Sequence, residues 1–425
     1  MTDRIVVDDH APPSPPMRVL LVNAFYHPNL VGGAEHSVRI LAESLRRLGC
    51  QVAVFTYDGG SSGIEHERVG GVPIYRASAR WFGPDIFGEA GKARKAWAII
   101  RSQHNAAAAR SFARVMHEFQ PDVVHTNGLY GMSPQVWIEA RRARVPVIHT
   151  LRDYALLDPQ SVVGSSPAWI ARLHCRRMRR LAARYLDAVT APSWRTLAIH
   201  EEADFFADVI RDRIVNCVEL DLPRTEALSR MKSARTSLDP VRFVFAGNLA
   251  PYKGLPRLIE AFSRVRSSSI TLTICGRGRI DSETRDRADR DPRIEFLGHQ
   301  SKPELERVFA DCDVLVAPSV WEEPFGRVVI EAFASAMPVI GSDRGGIAEI
   351  LAESGGGRVF RGDDPAELSA AIGEFAERST VVNYMEKAVR FVENYGEIRQ
   401  AEAFLGLYRR TKVASCVAQE IRPDV

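Results

Sequence analysis

From position 17 onward, short runs of aliphatic and β-branched residues alternate with longer stretches whose apolar positions recur every three or four residues. That alternation is the sequence form of successive βαβ units. RVLLVN (18–23) predicts the first strand, 34–48 a helix, QVAVFT (51–56) a strand, 92–119 one or two helices, and DVVH (122–125) a strand. A helix over 133–142, the strand PVIHTL (146–151), a helix over 168–186, the strand DAVTA (187–191) and a helix capped by Ser193 follow. After RIVN (213–216) the chain turns polar through 222–240, which reads as a domain boundary. VRFVFAG (241–247) restarts the alternation with TLTICG, RIEFLG, DVLVAPS and PVIGS as strands and helices between them to about Thr411. These later strands are continuous apolar runs, as expected where helices cover both faces of a sheet.

The predicted fold class is α/β, with two Rossmann-like, doubly wound domains facing across a cleft. The expected divisions are a disordered leader at 1–16, a first domain at 17–220, a second at 221–395, and a terminal helix and tail at 396–425 that packs back toward the first domain. In such sheets ligands sit beyond the carboxyl ends of the strands, so the residues just after each strand are the candidates for chemistry.

Composition narrows the class. At 425 residues the chain exceeds what one core usually supports. Its 56 basic and 53 acidic residues leave a net charge of +3, too balanced for a generic nucleic-acid binder, so no nucleic-acid partner is expected. No apolar run approaches the roughly 20 residues that span a bilayer, and the proline-rich start has no secretory pattern. Six scattered cysteines without a CxxC pair suggest reduced thiols in a cytoplasm.

Three motifs follow strands. Gly32-Gly33 precedes the helix near Ala34, where helix-mouth amides form an anion site or, alternatively, a flexible turn. GNLAPYKGL (247–255) places Lys253 at a helix start, where a cation opposes the helix dipole and calls for a nearby anion. WEEPFGRVVIEAFASA places Glu323 in a loop and Glu331 eight positions on in an apolar helix, so two carboxylates share one cleft edge. A carboxylate among apolar residues needs hydrogen-bond donors, and sugar hydroxyls supply them. Glu322 is expected to face outward. Cys275–Asp281 lacks the third glycine of a dinucleotide fingerprint, and Asp311-Cys312-Asp313 precedes its strand, so neither a dinucleotide nor a metal site is predicted.

GGAE, GNLAPYKGL and EPFGRVVIE, with PDVVHTNGLYGMSP, VPVIHTLRDYALLDP and GGIAEIL around them, resemble glycosyltransferase family 4, retaining enzymes of GT-B architecture. The resemblance implies a transferase that moves a sugar from a UDP- or GDP-linked donor to a glycan, lipid-linked or small-molecule acceptor, with no cofactor or metal. It implies that Glu323, aided by amides near Phe325 and Gly326, holds the sugar and that Glu331 binds the ribose. Lys253 would neutralise the diphosphate with Gly32 and Gly33 opposite, and the base would rest near Gly276, Gly298 and His299. His125 and Asn127 join the catalytic candidates, and Arg152 and Asp153 the acceptor-side ones. Where the family carries an arginine this chain has Asn248, and two histidines of close-looking relatives are replaced by Asn127 and Arg152; Arg277 or Arg327 is available to replace the missing charge.

WIARLHCRRMRRLAARYL sets Arg172, Arg176, Arg180 and Arg184 on one helical stripe. The stripe is either a solvated helix face or a basic surface for an anionic acceptor or membrane, in which case Arg176 and Arg180 serve the acceptor side and the protein sits peripherally at the inner membrane face. A sugar-nucleotide epimerase or a non-catalytic subunit would share the same architecture.

Overall fold

The predicted strands, apart from the edge strand RIEFLG, bury residues on both of their faces, and this dictates a layered assembly. The computed structural model describes residues 15–29, 32–59, 63–78, 91–160 and 166–421; all but the last two residues of the expected leader lie outside the described residues. The first domain runs β1 (Arg18–Val22), α1 (Gly33–Arg47), β2 (Gln51–Gly59), β3 (Ile64–Val69), β4 (Val72–Ser78), α2 (Lys92–Gln103), α3 (Ala106–Phe119), β5 (Val123–Thr126), α4 (Gln135–Arg142), β6 (Val147–Thr150), α5 (Ala168–Tyr185), β7 (Ala188–Ala191), α6 (Trp194–Glu201) and β8 (Ile210–Arg213). Its strands form one sheet in the order β3-β4-β2-β1-β5-β6-β7-β8, parallel except where β3 folds back on β4. The sequence reading left out that hairpin, whose GIEHERV segment is polar and mostly exposed in β3.

The second domain runs α7 (Leu222–Ser233), β9 (Val241–Ala246), α8 (Leu255–Arg264), β10 (Ile270–Cys275), α9 (Ser282–Asp289), β11 (Ile294–Gly298), α10 (Lys302–Asp311), β12 (Val314–Ala317), α11 (Arg327–Ala334), β13 (Val339–Ser342), α12 (Gly345–Ser354), β14 (Gly357–Phe360), α13 (Pro365–Phe375) and α14 (Arg378–Val392). Its all-parallel sheet is ordered β11-β10-β9-β12-β13-β14. The polar stretch read as a domain boundary holds α7, capped by Asp221, whose carboxylate accepts from the Arg224 amide at 3.1 Å. Buried Lys232 ties α7 down by donating to the Phe309 and Ser335 carbonyls.

The last helix, α15 (Glu397–Ile421), crosses back onto the first domain. Phe404, Leu405 and Tyr408 join Val19, Leu21, Val52 and Val54 in the core under α1, while Leu20, Val22 and Phe55 face the opposite layer with Phe112, Trp137 and Met178. The outgoing and returning segments run side by side, with the Val218 amide bonded to the Tyr395 carbonyl at 3.0 Å and the Gln400 amide group to the Val215 carbonyl.

Four histidines, His125, His149, His174 and His200, are buried in the first domain. Burial holds His125 well below its ordinary range and lowers His149 to about 3 and His200 to about 4. The unfolded chain therefore takes up protons near pH 6.5 that the folded chain refuses, and stability is lost as pH falls below 6.5 toward 4. Each imidazole contributes up to about 1.4 kcal/mol per pH unit in that window. Urea unfolding at pH 7 and pH 5 is expected to show a clearly lower midpoint at pH 5; an unchanged midpoint would mean that these rings are hydrated.

Candidate functional site

In each sheet the chain reverses its direction of winding beside the first strand of the domain. The crevice outside the carboxyl ends opens there, between β1 and β5 in the first domain and between β9 and β12 in the second. The loop after β9 carries Lys253 and the loop after β12 carries Glu323, so the topology alone brings the two together.

Lys253 ends a single 3-10 turn, Pro251–Lys253, and its Nζ bonds Glu323 Oε1. Ser319 Oγ donates to the same carboxylate oxygen at 2.8 Å, and the Tyr252 and Trp321 rings flank the ammonium at 5.7 and 5.5 Å. Glu323 is only 8% exposed. Glycines let the backbones approach closely enough to make this pair. Gly254 has φ 78°, and a Cβ there would lie 1.8 Å from the Pro318 carbonyl oxygen. Gly345 has φ 59°, and its Cβ would lie 2.1 Å from the Glu323 oxygen. The Gly346 amide holds that same oxygen at 2.7 Å, while the Gly345 amide donates to Glu322 Oε2 at 2.7 Å. Glu322 thus does not simply face outward as expected; it straps the loop from beneath and lies 3.5 Å from Arg195 Nη2.

Phe325 is buried and Gly326, with φ 85°, starts α11. One turn in, Glu331 has a side chain 31% exposed and accepts from Arg327 Nε at 2.7 Å. The buried carboxylate expected from the apolar sequence is therefore corrected. Its own helix places an arginine four residues earlier, and the carboxylate opens on the cleft. Arg327 also reaches across the cleft to Ser37 Oγ at 3.1 Å, and its Cδ lies 3.4 Å from where a Cβ on Gly33 would stand. At the opposite helix mouth the Gly32 amide is taken by Glu35 Oε2 at 2.8 Å, the half of a capping box that a glycine N-cap allows, leaving the amides beyond it.

Three second-domain loops, those after β9, β10 and β11, converge. Gly276 would place a Cβ 1.8 Å from the Gly247 oxygen, its amide donates to the Gly298 carbonyl at 2.8 Å, and Gly278 faces Asn248 Oδ1. His299 is exposed beside Gly298. CGRG is weak as a dinucleotide fingerprint; its glycines close the floor on which Asn248, Gly276 and Gly298 meet.

The first-domain candidates divide. His125 is fully buried, with Nδ1 2.7 Å from Tyr408 Oη and Nε2 2.7 Å from Thr150 Oγ1. It is corrected from a catalytic candidate to an anchor for α15, because both ring nitrogens are engaged in the core. Asn127 Oδ1 accepts from Arg152 Nε at 3.0 Å, and Arg152 also bonds Asn216 Oδ1. Burial lowers the Arg152 guanidinium to about 10, with Arg327 adding repulsion. Asp153 Oδ1 caps the turn at the Ala155 amide at 2.8 Å. Arg176 and Arg180 are exposed on α5, and no ion pair among the described residues ties them to this cluster. Asp313 spends its carboxylate on Arg235, Arg378 and the Arg242 amide. Among the described residues no three His, Cys, Asp or Glu side chains gather as a metal-ion group.

Sequence reasoning missed the contact that sets the two domains against each other. Ser193 Oγ and Thr196 Oγ1 donate to the Pro324 carbonyl at 2.7 and 3.1 Å. The Trp194 and Arg195 amides at the mouth of α6 both donate to the Glu349 carboxylate of α12. Ser193 was legible as a cap, but its second partner lies 131 residues away.

Two facing Rossmann-like domains with a lysine and a carboxylate at the switch point of the second have the GT-B architecture of glycosyltransferases. Comparison with known proteins agrees. The family "Glycosyl transferases group 1" matches residues 240–378 and the "Glycosyl transferase 4-like domain" matches 32–211. A Klebsiella pneumoniae protein described as an uncharacterized 42.6 kDa protein in the cps region is 30% identical over 79% of this chain and 87% of its own length. Glycogen synthase of Mycobacterium tuberculosis is 24% identical over 88% of this chain and 89% of its own. The structure of Anabaena HepE in complex with UDP superposes with a TM-score of 0.68 at 18% identity, covering 93% of this chain and 100% of that one. The chain belongs to the group 1 glycosyl transferases.

The glycine contacts are testable. Gly345→Ala is expected to destabilise the protein by more than about 2 kcal/mol, since it adds both a φ penalty and a backbone clash. Gly373→Ala, where a Cβ meets nothing within 4 Å inside α13, should instead stabilise by up to about 1 kcal/mol. Denaturant unfolding of both variants checks this, and equal effects would contradict the close approach to Glu323.

Proposed function

We propose that this transferase is a retaining, metal-independent enzyme that passes a sugar from a UDP- or GDP-linked donor to a glycan or lipid-linked acceptor during cell-surface polysaccharide assembly, at the cytoplasmic face of a membrane. The observation that carries the reading is the Lys253–Glu323 pair at the switch point, where the two charges a nucleotide sugar needs lie side by side. The named relative in a cps region supports the polysaccharide setting.

In this reading the diphosphate binds between Lys253 and the mouth of α1, and the sugar hydroxyls donate to Glu323. Glu331 takes the ribose hydroxyls, and the base lies over Gly276 and the Gly298-His299 turn. Arg327, already beside Gly33, supplies the positive charge that Asn248 lacks. The acceptor hydroxyl attacks the anomeric carbon from the side the leaving group departs. A new carbon–oxygen bond forms as the bond to the phosphate oxygen breaks, and the proton passes to that oxygen. The nucleoside diphosphate leaves, and no enzymic nucleophile intervenes. Developing charge on the leaving group is met by Lys253 and Arg327 already in place, which is where such groups contribute most.

Nucleotides and their sugars should raise the thermal midpoint, with saturation at a hundred times Kd adding about 2.7 kcal/mol. Lys253→Ala is expected to lower kcat about a hundredfold or more. Glu331→Ala should chiefly weaken nucleotide affinity. The product linkage read by NMR should keep the donor's anomeric configuration, and EDTA should leave the rate unchanged. An inverted linkage, metal-reversible loss of activity, or wild-type kinetics from both variants would refute the corresponding part.

A further inference from the structure

The outer face of α5 is not an ordinary solvated helix face. Positions 169, 172, 173, 176, 180, 183 and 184 fall within about 60° of one line along the helix, and all seven are exposed. Trp169 is 67% and Leu173 66% exposed, and both lie in the first two turns. Arg172, Arg176, Arg180 and Arg184 continue the same face. Their neighbours off the face are committed within the protein: Arg177 bonds Gln103 Oε1 at 3.0 Å and its carbonyl at 2.7 Å, and Arg179 bonds Asp204 at 2.7 Å. Among the described residues Arg176 and Arg180 have no ion-pair partner.

The face is placed by topology. α5 follows β6 in a parallel sheet, so its first turns lie at the carboxyl edge, the edge on which the cleft opens. Through Gln103, Arg177 and His174 bind the last turn of α2 to α5. The end of α2 is held against the loop after β5 by Ser102 Oγ, which accepts from the Gly131 amide at 2.7 Å, so it lies at the same edge. α2 exposes Trp97 and Ile100. Two helices at the cleft edge of the first domain therefore present four large apolar side chains beside a line of arginines.

We propose that this edge is a docking face for an anionic phospholipid bilayer, with Trp169 and Leu173 entering the interface and Arg172, Arg176 and Arg180 meeting the headgroup phosphates. Tryptophan suits the headgroup level, and arginines beside it add attraction that neither feature supplies alone. Docked this way, the first-domain side of the cleft faces the membrane, where a lipid-linked acceptor would be presented. That consequence rests on the transferase reading; the docking itself does not.

Sedimentation with vesicles, without any substrate, tests it. The full chain is expected to sediment with equimolar phosphatidylcholine and phosphatidylglycerol and to stay in solution with phosphatidylcholine alone. Trp169→Ser/Leu173→Ser and Arg172→Gln/Arg176→Gln/Arg180→Gln should each weaken capture more than about tenfold, taking about fivefold for each arginine. Added salt should weaken the capture of the parent more than that of the arginine variant. Thermal midpoints and UDP-induced shifts of the same samples report whether the variants are folded, and brominated lipid should quench the parent's tryptophan emission without any substitution. No capture of the parent, or capture of either folded variant as strong as the parent's, overturns the proposal. So does a concentration-dependent doubling of mass in vesicle-free buffer that Trp169→Ser/Leu173→Ser abolishes, which would assign the face to a second copy of this chain. Because nucleotide affinity is read separately, docking can fail while the transferase reading stands, and the reverse.

Discussion

A lysine and a glutamate drawn largely out of water beside one another are the constraint around which the second domain is built. Separating such a pair would leave a carboxylate 8% exposed with only Ser319 for support, so the surrounding backbone must hold both loops in place. It does so by contacts that tolerate no side chain: Gly254 against Pro318, and Gly345 and Gly346 against Glu323 and Phe325. The same loop fixes the other domain, because the carbonyl of Pro324, next to Glu323, receives both hydroxyls at the start of α6. Charge pairing, loop geometry and domain placement are thus one arrangement. A ligand that took hold of Lys253 and Glu323 would act on the whole of it.

The polar residues of the first domain show what the replacements relative to close-looking family members do. Arg152 does not stand free in the cleft; it is drawn in between Asn127 and Asn216, and the latter belongs to the segment that leads to the second domain. Its positive charge lies close enough to Arg327 for the two to repel. An anion between them would relieve that repulsion, so the substitution that removes a histidine also raises the positive potential on the first-domain side. His125, by contrast, has become part of the joint between β5 and α15, with the Phe404 ring tilted against its own at a centroid distance of 4.9 Å.

Much of this could be read from the sequence because the relevant signals are local. Alternating apolar runs gave the strands, glycines gave the helix mouths, and the eight-residue spacing gave Glu323 and Glu331 their positions on and before α11. What could not be read depends on partners far apart in the chain. Nothing near His125 announces Tyr408, 283 residues on. Nothing near Glu331 decides whether Arg327 or solvent meets it. The β3–β4 hairpin escaped notice because β3 is polar along most of its length, and α7 because its apolar residues are too few to mark a face. CGRG looked like a failed fingerprint because the role of its glycines is to let one loop lie against another.

Lys253 and Glu323 hold each other in the free protein and, on the proposed function, release each other to the donor. A crystal structure of the protein with a nucleotide sugar or its non-transferable analogue tests this most directly. Lys253 Nζ is expected on the diphosphate, with Glu323 accepting from hydroxyls of the sugar and Glu331 on the ribose. A donor bound elsewhere, with the Lys253–Glu323 pair intact, would mean that the pair does not bind the donor.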